Sequence, residues 1–333
     1  ETYPHESLSL ASCQACHEPH NEEISGDLHA GVACSACHLA GTAEPEAPHR
    51  LVKARAESSC QRCHHQNNKA GASVMVLPPK SALCLACHTA TLSVADWPSR
   101  IALGLLAFGL LGSLGFWLSG GNQGPASSHG YGHGLRWSSL LASFFLDGIC
   151  QRRLWRISPA RWLSHALIFL PMAARTAWAL VALVLGRWDP AGSLTQAMLH
   201  KNDPLTALFF DLTGALVLLG AMLAVSRRLL RSKKPLPGLP RPGWLAIALL
   251  GLIVLSGFVT EAARMAMTGT GASAPYAFLG SALSRLFKPG PGLQQAYGYI
   301  WYAHAICYAA FVAYLPFSRM RHILLAPLWL AVG

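Results

Sequence analysis

The sequence predicts a mainly α-helical protein in two parts: a polar head with little regular structure, then a bundle of five membrane-spanning helices. Three observations carry this. Five apolar runs, at about 100–119, 161–185, 205–225, 243–262 and 295–317, each approach the roughly 20 residues that a spanning helix needs. The charge reverses near residue 97: residues 1–96 hold ten acidic and six basic side chains, and the remainder holds five acidic and twenty basic. Eight of the ten cysteines fall before the first apolar run, in four copies of one short pattern. The expected domains are therefore residues 1–96 and 97–333.

The formal net charge of +11 could suggest nucleic acid, but its distribution excludes that reading. The positive charges sit between apolar runs, as they do in the inner loops of membrane proteins. Arg136, Arg152, Arg153, Arg156 and Arg161 lie between the first and second runs. Arg227, Arg228, Arg231, Lys233, Lys234 and Arg241 lie between the third and fourth, and Arg319 and Arg321 follow the fifth. The loops at 186–204 and 263–294 are poorer in Lys and Arg for their length. The positive-inside rule then places the N-terminus outside and the C-terminus inside. A head outside the cytoplasm implies a signal peptide removed ahead of Glu1. Residues 137–156 read as an amphipathic stretch along the inner surface.

The four cysteine patterns are Cys13-Gln-Ala-Cys16-His17, Cys34-Ser-Ala-Cys37-His38, Cys60-Gln-Arg-Cys63-His64 and Cys84-Leu-Ala-Cys87-His88. C-x-x-C-H is the attachment signal for haem c. Two thiols add to the two vinyl groups of one porphyrin, and the adjacent histidine turns its imidazole onto the iron. Paired C-x-x-C motifs also bind zinc, but zinc does not require His after each second Cys. The expected cofactors of the head are thus four haem c, with His17, His38, His64 and His88 as proximal ligands. The segment has few large apolar residues, so the porphyrins themselves are expected to form its core, with short helices around each attachment site. It resembles small tetrahaem cytochromes with closely stacked haems.

Five more histidines in the head, His5, His20, His29, His49 and His65, exceed by one the four distal ligands that bis-His ligation needs. Met75 is an alternative axial ligand or a packing residue. Bis-His ligation favours a lower potential than Met/His. Cys150 and Cys307 lie in or beside apolar helices and read as packing residues.

Polar side chains inside spans are functional candidates. His304 and His322 are 18 residues apart. That is five helical turns, so both face the same way at about 27 Å separation. His165 begins the second span at the depth of His322. One b-type haem bridged by His165 and His322 is the natural pairing. For proton-coupled quinone chemistry Glu261 leads, with Arg175, His200, Lys201, Asp203, Arg264 and Asp211 behind it. Snorkelling at the interface competes for Arg264 and Lys201, and Asp211 could instead hold helices together.

The membrane part resembles a family of cytochrome b subunits: the gamma subunit of respiratory nitrate reductase and its relatives in membrane heterodisulfide reductases and sulfite-reduction complexes. The likeness covers about 135–325. It is carried by Gln151-Arg-Arg-Leu-Trp-Arg-Ile-Ser-Pro, Arg161-Trp-Leu-Ser-His165, Phe210-Asp211-Leu-Thr-Gly214, Ser256-Gly-Phe-Val-Thr-Glu261-Ala-Ala-Arg264 and the His304/His322 spacing. It implies two b haems stacked across the membrane. The inner one corresponds to His165 and His322. The outer one uses His304 and a residue ten after the first histidine, which is Arg175 here. That departure leaves one or two haem b open, with His200 as the substitute ligand.

Together these readings predict a quinone-linked electron-transfer subunit in the bacterial inner membrane, multi-pass, with its haem c head on the periplasmic side. It would pass electrons between menaquinone or another quinone, b haem and the c haems, with Glu261, Arg175 and Arg264 at the quinone site. The resemblance implies a cytoplasmic iron–sulfur partner of heterodisulfide-reductase type, and the head invites a periplasmic redox partner. The alternative is a conduit or anchor without its own quinone site. A catalytic multihaem reductase is disfavoured, because it needs an open iron position and histidines are in surplus.

Overall fold

The computed structural model describes residues 60–61, 63–68, 71–118, 144–189, 192–230, 244–269, 271–318 and 320. Cys13, Cys16, His17, Cys34, Cys37, His38, His5, His20, His29, His49 and His322 lie outside the described residues.

The described residues are helical, without strands. Five long helices dominate: α1 (Trp97–Leu118), α3 (Pro159–Trp188), α5 (Pro204–Leu230), α6 (Trp244–Thr268) and α8 (Pro291–Tyr314). Three short ones connect them: α2 (Arg152–Ile157), α4 (Ser193–Leu199) and α7 (Phe278–Ser284). Pro98, Pro159, Pro204 and Pro291 each lie in the first turn of a long helix, where a missing N–H is not missed. α3, α5, α6 and α8 with its terminal turn are long and apolar enough to cross a membrane. Exposed along them are Leu163, Leu180, Leu212, Met222, Leu252 and Ile306. In water such faces would drive aggregation, whereas in lipid they are solvated. The chain is accordingly a multi-pass membrane protein.

The residues group into two compact units. The first gathers the described residues up to Asp96 with Thr176–Asp211 and Phe258–Tyr302. The second comprises the described parts of Trp97–Arg175, Leu212–Gly257 and Ala303–Gly333.

In the first unit the head is strapped onto α8. Val74 N–H donates to Gln294 O (3.0 Å) and Gln294 Nε2 donates to Asn68 O (3.0 Å). Gly298 leaves room for Met75, which would lie 2.8 Å from a Cβ there. Gly71 has φ +70°, and a Cβ would strike the Met267 carbonyl of α6. Met75 therefore packs on a helix face.

In the second unit close approach again uses glycine. A Cβ at Gly220 of α5 would come within 2.9 Å of Leu167 and Ile168 on α3, and one at Gly109 of α1 within 2.7 Å of Pro316. Before α3, a single π turn (Phe144–Ile149) and α2 are separated by Gln151 in the left-handed region, φ 54° and ψ 41°. The expected amphipathic stretch is thus broken at Gln151 within its described part.

Candidate functional site

In the first unit the two described C-x-x-C-H motifs fold alike. Cys63 N–H and His64 N–H both donate to Cys60 O (3.1 and 2.9 Å), and Cys87 N–H and His88 N–H both donate to Cys84 O (2.9 and 3.0 Å). Each motif thus closes in a single tight turn from its first cysteine to its histidine. His64 Nδ1 is 2.7 Å from Ser73 O. A carbonyl can only accept, so Nδ1 carries the proton and Nε2 keeps its lone pair. A metal-binding histidine is usually held in this way. His88 Nδ1 lies 3.4 Å from Thr89 O, and the exposed His65 turns Nδ1 to Gln66 O at 2.9 Å.

The fourth motif sits on a loop with a closed base. Thr91 N–H and Oγ1 both donate to Lys80 O (3.0 and 2.8 Å), and Ala82 N–H donates to Ser93 O (2.8 Å). Its tip is tied to α3, where Thr176 Oγ1 donates to Ala86 O at 2.8 Å. Burial pushes the Cys84 thiol above its usual range.

Beside that loop the same unit assembles a charged cluster. Arg264 Nη2 donates to Glu261 Oε1 (2.5 Å) and to Asn202 Oδ1 (2.9 Å), and Nε reaches Glu261 Oε2 at 3.3 Å. The Arg264 side chain is 2% exposed, and Nη1 has no hydrogen-bond partner among the described residues. Tyr297 of α8 is buried within electrostatic reach of Lys201, Arg264 and Glu261. Lys80 is buried as well, within electrostatic reach of Lys201, Cys84, Glu261 and Arg264. Burial first, then the charge of Lys201, holds the Lys80 ammonium well below the ordinary lysine range.

The other expected residues divide between roles. Asp211 is buried and its Oδ2 accepts from Leu279 N (2.6 Å) and Gly280 N (3.3 Å), capping α7. Gly280 in turn lies over Glu261, whose Cγ would be 3.4 Å from a Cβ there. Asp203 Oδ1 accepts from Leu205 N–H (2.8 Å) at the start of α5. His200, half-buried, ends α4. Arg175 belongs to the second unit, where Nε donates to Thr213 Oγ1 at 2.7 Å.

The second unit holds two histidines with anchored Nδ1 atoms. His165 Nδ1 is 2.9 Å from Gln151 Oε1, and the ring stacks on Phe169 at 6.0 Å between centroids. His304 Nδ1 is 3.0 Å from Ser256 Oγ, with Gly257 clearing space beside Cε1. Gln151 is buried, and its left-handed backbone turns the side chain toward His165. Trp162 Nε1 donating to Cys150 O (2.9 Å) and the edge-to-face Trp155–Trp162 pair (4.8 Å) brace that turn. Among the described residues no group of three or more His, Cys, Asp or Glu gathers as for a bare metal ion.

Sequence reasoning missed Lys80, Tyr297 and Asn202. Nothing around Lys80 marks it, since Pro78-Pro79 precede it and no periodicity runs through it. Gln151 and Ser256 open two of the motifs that carry the family resemblance, but the motifs alone assign them no role.

Two known proteins are similar to this chain. It is 24% identical over 261 residues, 69% of its length and 88% of the relative's, to the E subunit of dihydromethanophenazine:CoB--CoM heterodisulfide reductase from Methanosarcina mazei. It is 25% identical over 267 residues, 69% of its length and 87% of the relative's, to the same subunit from Methanosarcina thermophila. The chain is thus distantly similar to a heterodisulfide reductase subunit. No family model and no solved structure matches it.

Proposed function

We propose that the protein is a quinone-linked membrane electron-transfer subunit of a respiratory complex, passing electrons between a menaquinone-like pool, b-type haem and four c-type haems. The observation that carries this is the buried Arg264 with an Nη1 donor unpartnered among the described residues, in the same unit as a C-x-x-C-H loop. A buried donor without an acceptor is costly, and a quinone carbonyl is an acceptor of the right kind. The distant likeness to a reductase subunit supports the electron-transfer role and partner subunits of that type.

Five spans with the head on the periplasmic side complete the proposal, with α1 as the first. Haem supplies one-electron iron chemistry when bound. The chain's own part is to fix ligands and protons. Cys60, Cys63, Cys84 and Cys87 would hold two porphyrins, and His64 and His88 would present Nε2. Gln151 and Ser256 would orient His165 and His304 toward b haem, with His322 as the inner partner. Arg264 would bind a quinone oxygen while Glu261 holds or releases a proton.

The test is anaerobic addition of a menaquinol analogue to the purified full-length chain, with haem b and haem c quantified as pyridine haemochromes. Four haem c with one or two haem b, reduced by the quinol, is the expected outcome. Haems that all stay oxidised would leave only the conduit reading. Absence of haem c would remove both.

A further inference from the structure

The second unit carries a surface that the electron-transfer reading does not use. Residues 144–161 hold four arginines and one aspartate, three positive charges in excess. Arg152 and Arg153 each lie 3.3 Å from Asp147. Arg156 and Arg161 are exposed and stand outside any ion pair among the described residues. Arg156 follows Arg152 by four residues and Arg153 by three in α2, so the three share one side of the helix. Large apolar side chains are exposed among them: Phe145 (61%), Trp155 (50%) and Ile157 (74%). Two residues beyond Arg161, Leu163 opens the exposed apolar face of α3. That helix has 30 residues. At about 45 Å it matches the hydrocarbon core together with both headgroup layers. Its first turn, and the basic surface before it, therefore stand at headgroup level.

We propose that α2 and the start of α3 form a site for an anionic phospholipid, with Arg156 and Arg161 on its phosphate and Trp155 and Ile157 against its acyl chains. The inference is independent of the quinone reading. A guanidinium fork meets two phosphate oxygens at once and is weakly hydrated, which suits a phosphate at a half-apolar boundary. Tryptophan favours the same layer, with its ring in the apolar part and its N–H toward water. A zwitterionic lipid brings its own cation to a surface already in positive excess, so an anionic headgroup is selected. A soluble acidic partner would answer the arginines, but it would also have to cover apolar side chains continuous with the lipid-facing side of α3. α2 follows Gln151 directly, so a lipid clamped there steadies the turn that presents Gln151 to His165.

The purified full-length chain in maltoside detergent is titrated with phosphatidylglycerol or with phosphatidylcholine of identical acyl chains. Native mass spectrometry counts the lipids retained per chain. Wild type is expected to hold phosphatidylglycerol about 30-fold more tightly, the scale of two arginines at an anionic lipid surface. Arg156→Gln with Arg161→Gln should reduce its retention to that of phosphatidylcholine. Either substitution alone should lose about fivefold, so the site stays testable if the pair does not assemble. Arg156→Lys with Arg161→Lys keeps both charges and should stay within about threefold of wild type, which separates loss of charge from loss of fold. Amide exchange over residues 144–157 should slow on adding phosphatidylglycerol and not on adding phosphatidylcholine. Equal retention of the two lipids by wild type would overturn the inference. So would glutamine variants that hold phosphatidylglycerol as wild type does. If those variants instead lose an acidic subunit that co-purifies with wild type, the surface belongs to a protein and the lipid site falls.

Discussion

The cluster around Arg264 and the turn around His165 solve the same problem in opposite ways. Both place polar groups among apolar helices. The first pairs Arg264 with Glu261 and Asn202 and brings the basic side chains of Lys80 and Lys201, from distant parts of the chain, within electrostatic reach. The second uses one uncharged acceptor, Gln151 Oε1, fourteen residues from the ring it holds. Charges need several partners because desolvation is expensive. An imidazole whose Nδ1 donates to one acceptor keeps the Nε2 lone pair for a metal, and a local turn can supply that acceptor. The charged cluster should therefore be fragile to single substitutions and the histidine turn tolerant of them.

The sharpest break of that contrast is Arg264→Met. It leaves the partly buried Glu261 carboxylate without its ion pair, and the penalty of about 3–5 kcal/mol for stranding a fully buried charge is an upper bound here. Thermal unfolding in detergent should show a large fall in midpoint, and Arg264→Met with Glu261→Gln should recover most of it. A midpoint unchanged in the single variant would mean that the pair is not carrying the fold.

Gln151→Ala should be milder. It removes the acceptor for His165 Nδ1 and is expected to weaken retention of b-type haem about 10–100-fold, the usual effect of removing the hydrogen-bond partner behind a metal-binding histidine. The haem c content should not move. Gln151→Gly separates acceptor from backbone, since glycine adopts φ 54° without strain. It should retain fold stability at least as well as Gln151→Ala while losing haem equally. Equal haem retention to wild type in both would show that His165 orients itself.

The smallest effect concerns pH. Lys80 titrates in the folded protein below its value of 10.5 in an unfolded chain. Between the two values the unfolded chain binds more protons, so stability rises with pH across that window. Lys80→Met should flatten this rise in denaturation curves taken at increasing alkalinity. A slope that survives the substitution would place the proton uptake elsewhere.

Much of the helical architecture is legible in the sequence, because apolar runs of spanning length announce themselves. The ends are less so. The fourth apolar run stops at 262, but α6 continues to Thr268. Arg264 reads in the sequence equally as a quinone-site residue and as a boundary residue snorkelling outward, and it turns inward to Glu261 one helical turn back. Pairing inside the bundle lets the helix run on. The stretch 137–156 misleads in the opposite direction. Its amphipathic pattern continues across Gln151, but the backbone reverses there to serve His165. The motif histidines can be read because their chemistry imposes spacing. Lys80 cannot, because the charges within its electrostatic reach lie on α6 and the turn after α4, and no local pattern records so distant a meeting.

The hydrogen bonds of the head have a consequence for the order of biogenesis. Asn68 and Val74 dock on Gln294, and Met75 settles over Gly298. Both receivers belong to α8, which leaves the ribosome more than 200 residues after Asn68, Val74 and Met75 do. A chain still in synthesis therefore carries its head undocked, with Lys80 in water and protonated like any surface lysine. The charged cluster can close only once α8 has been inserted. A truncated copy, even one with its cysteines fully modified, would hold an incomplete cluster and stand idle among the finished ones.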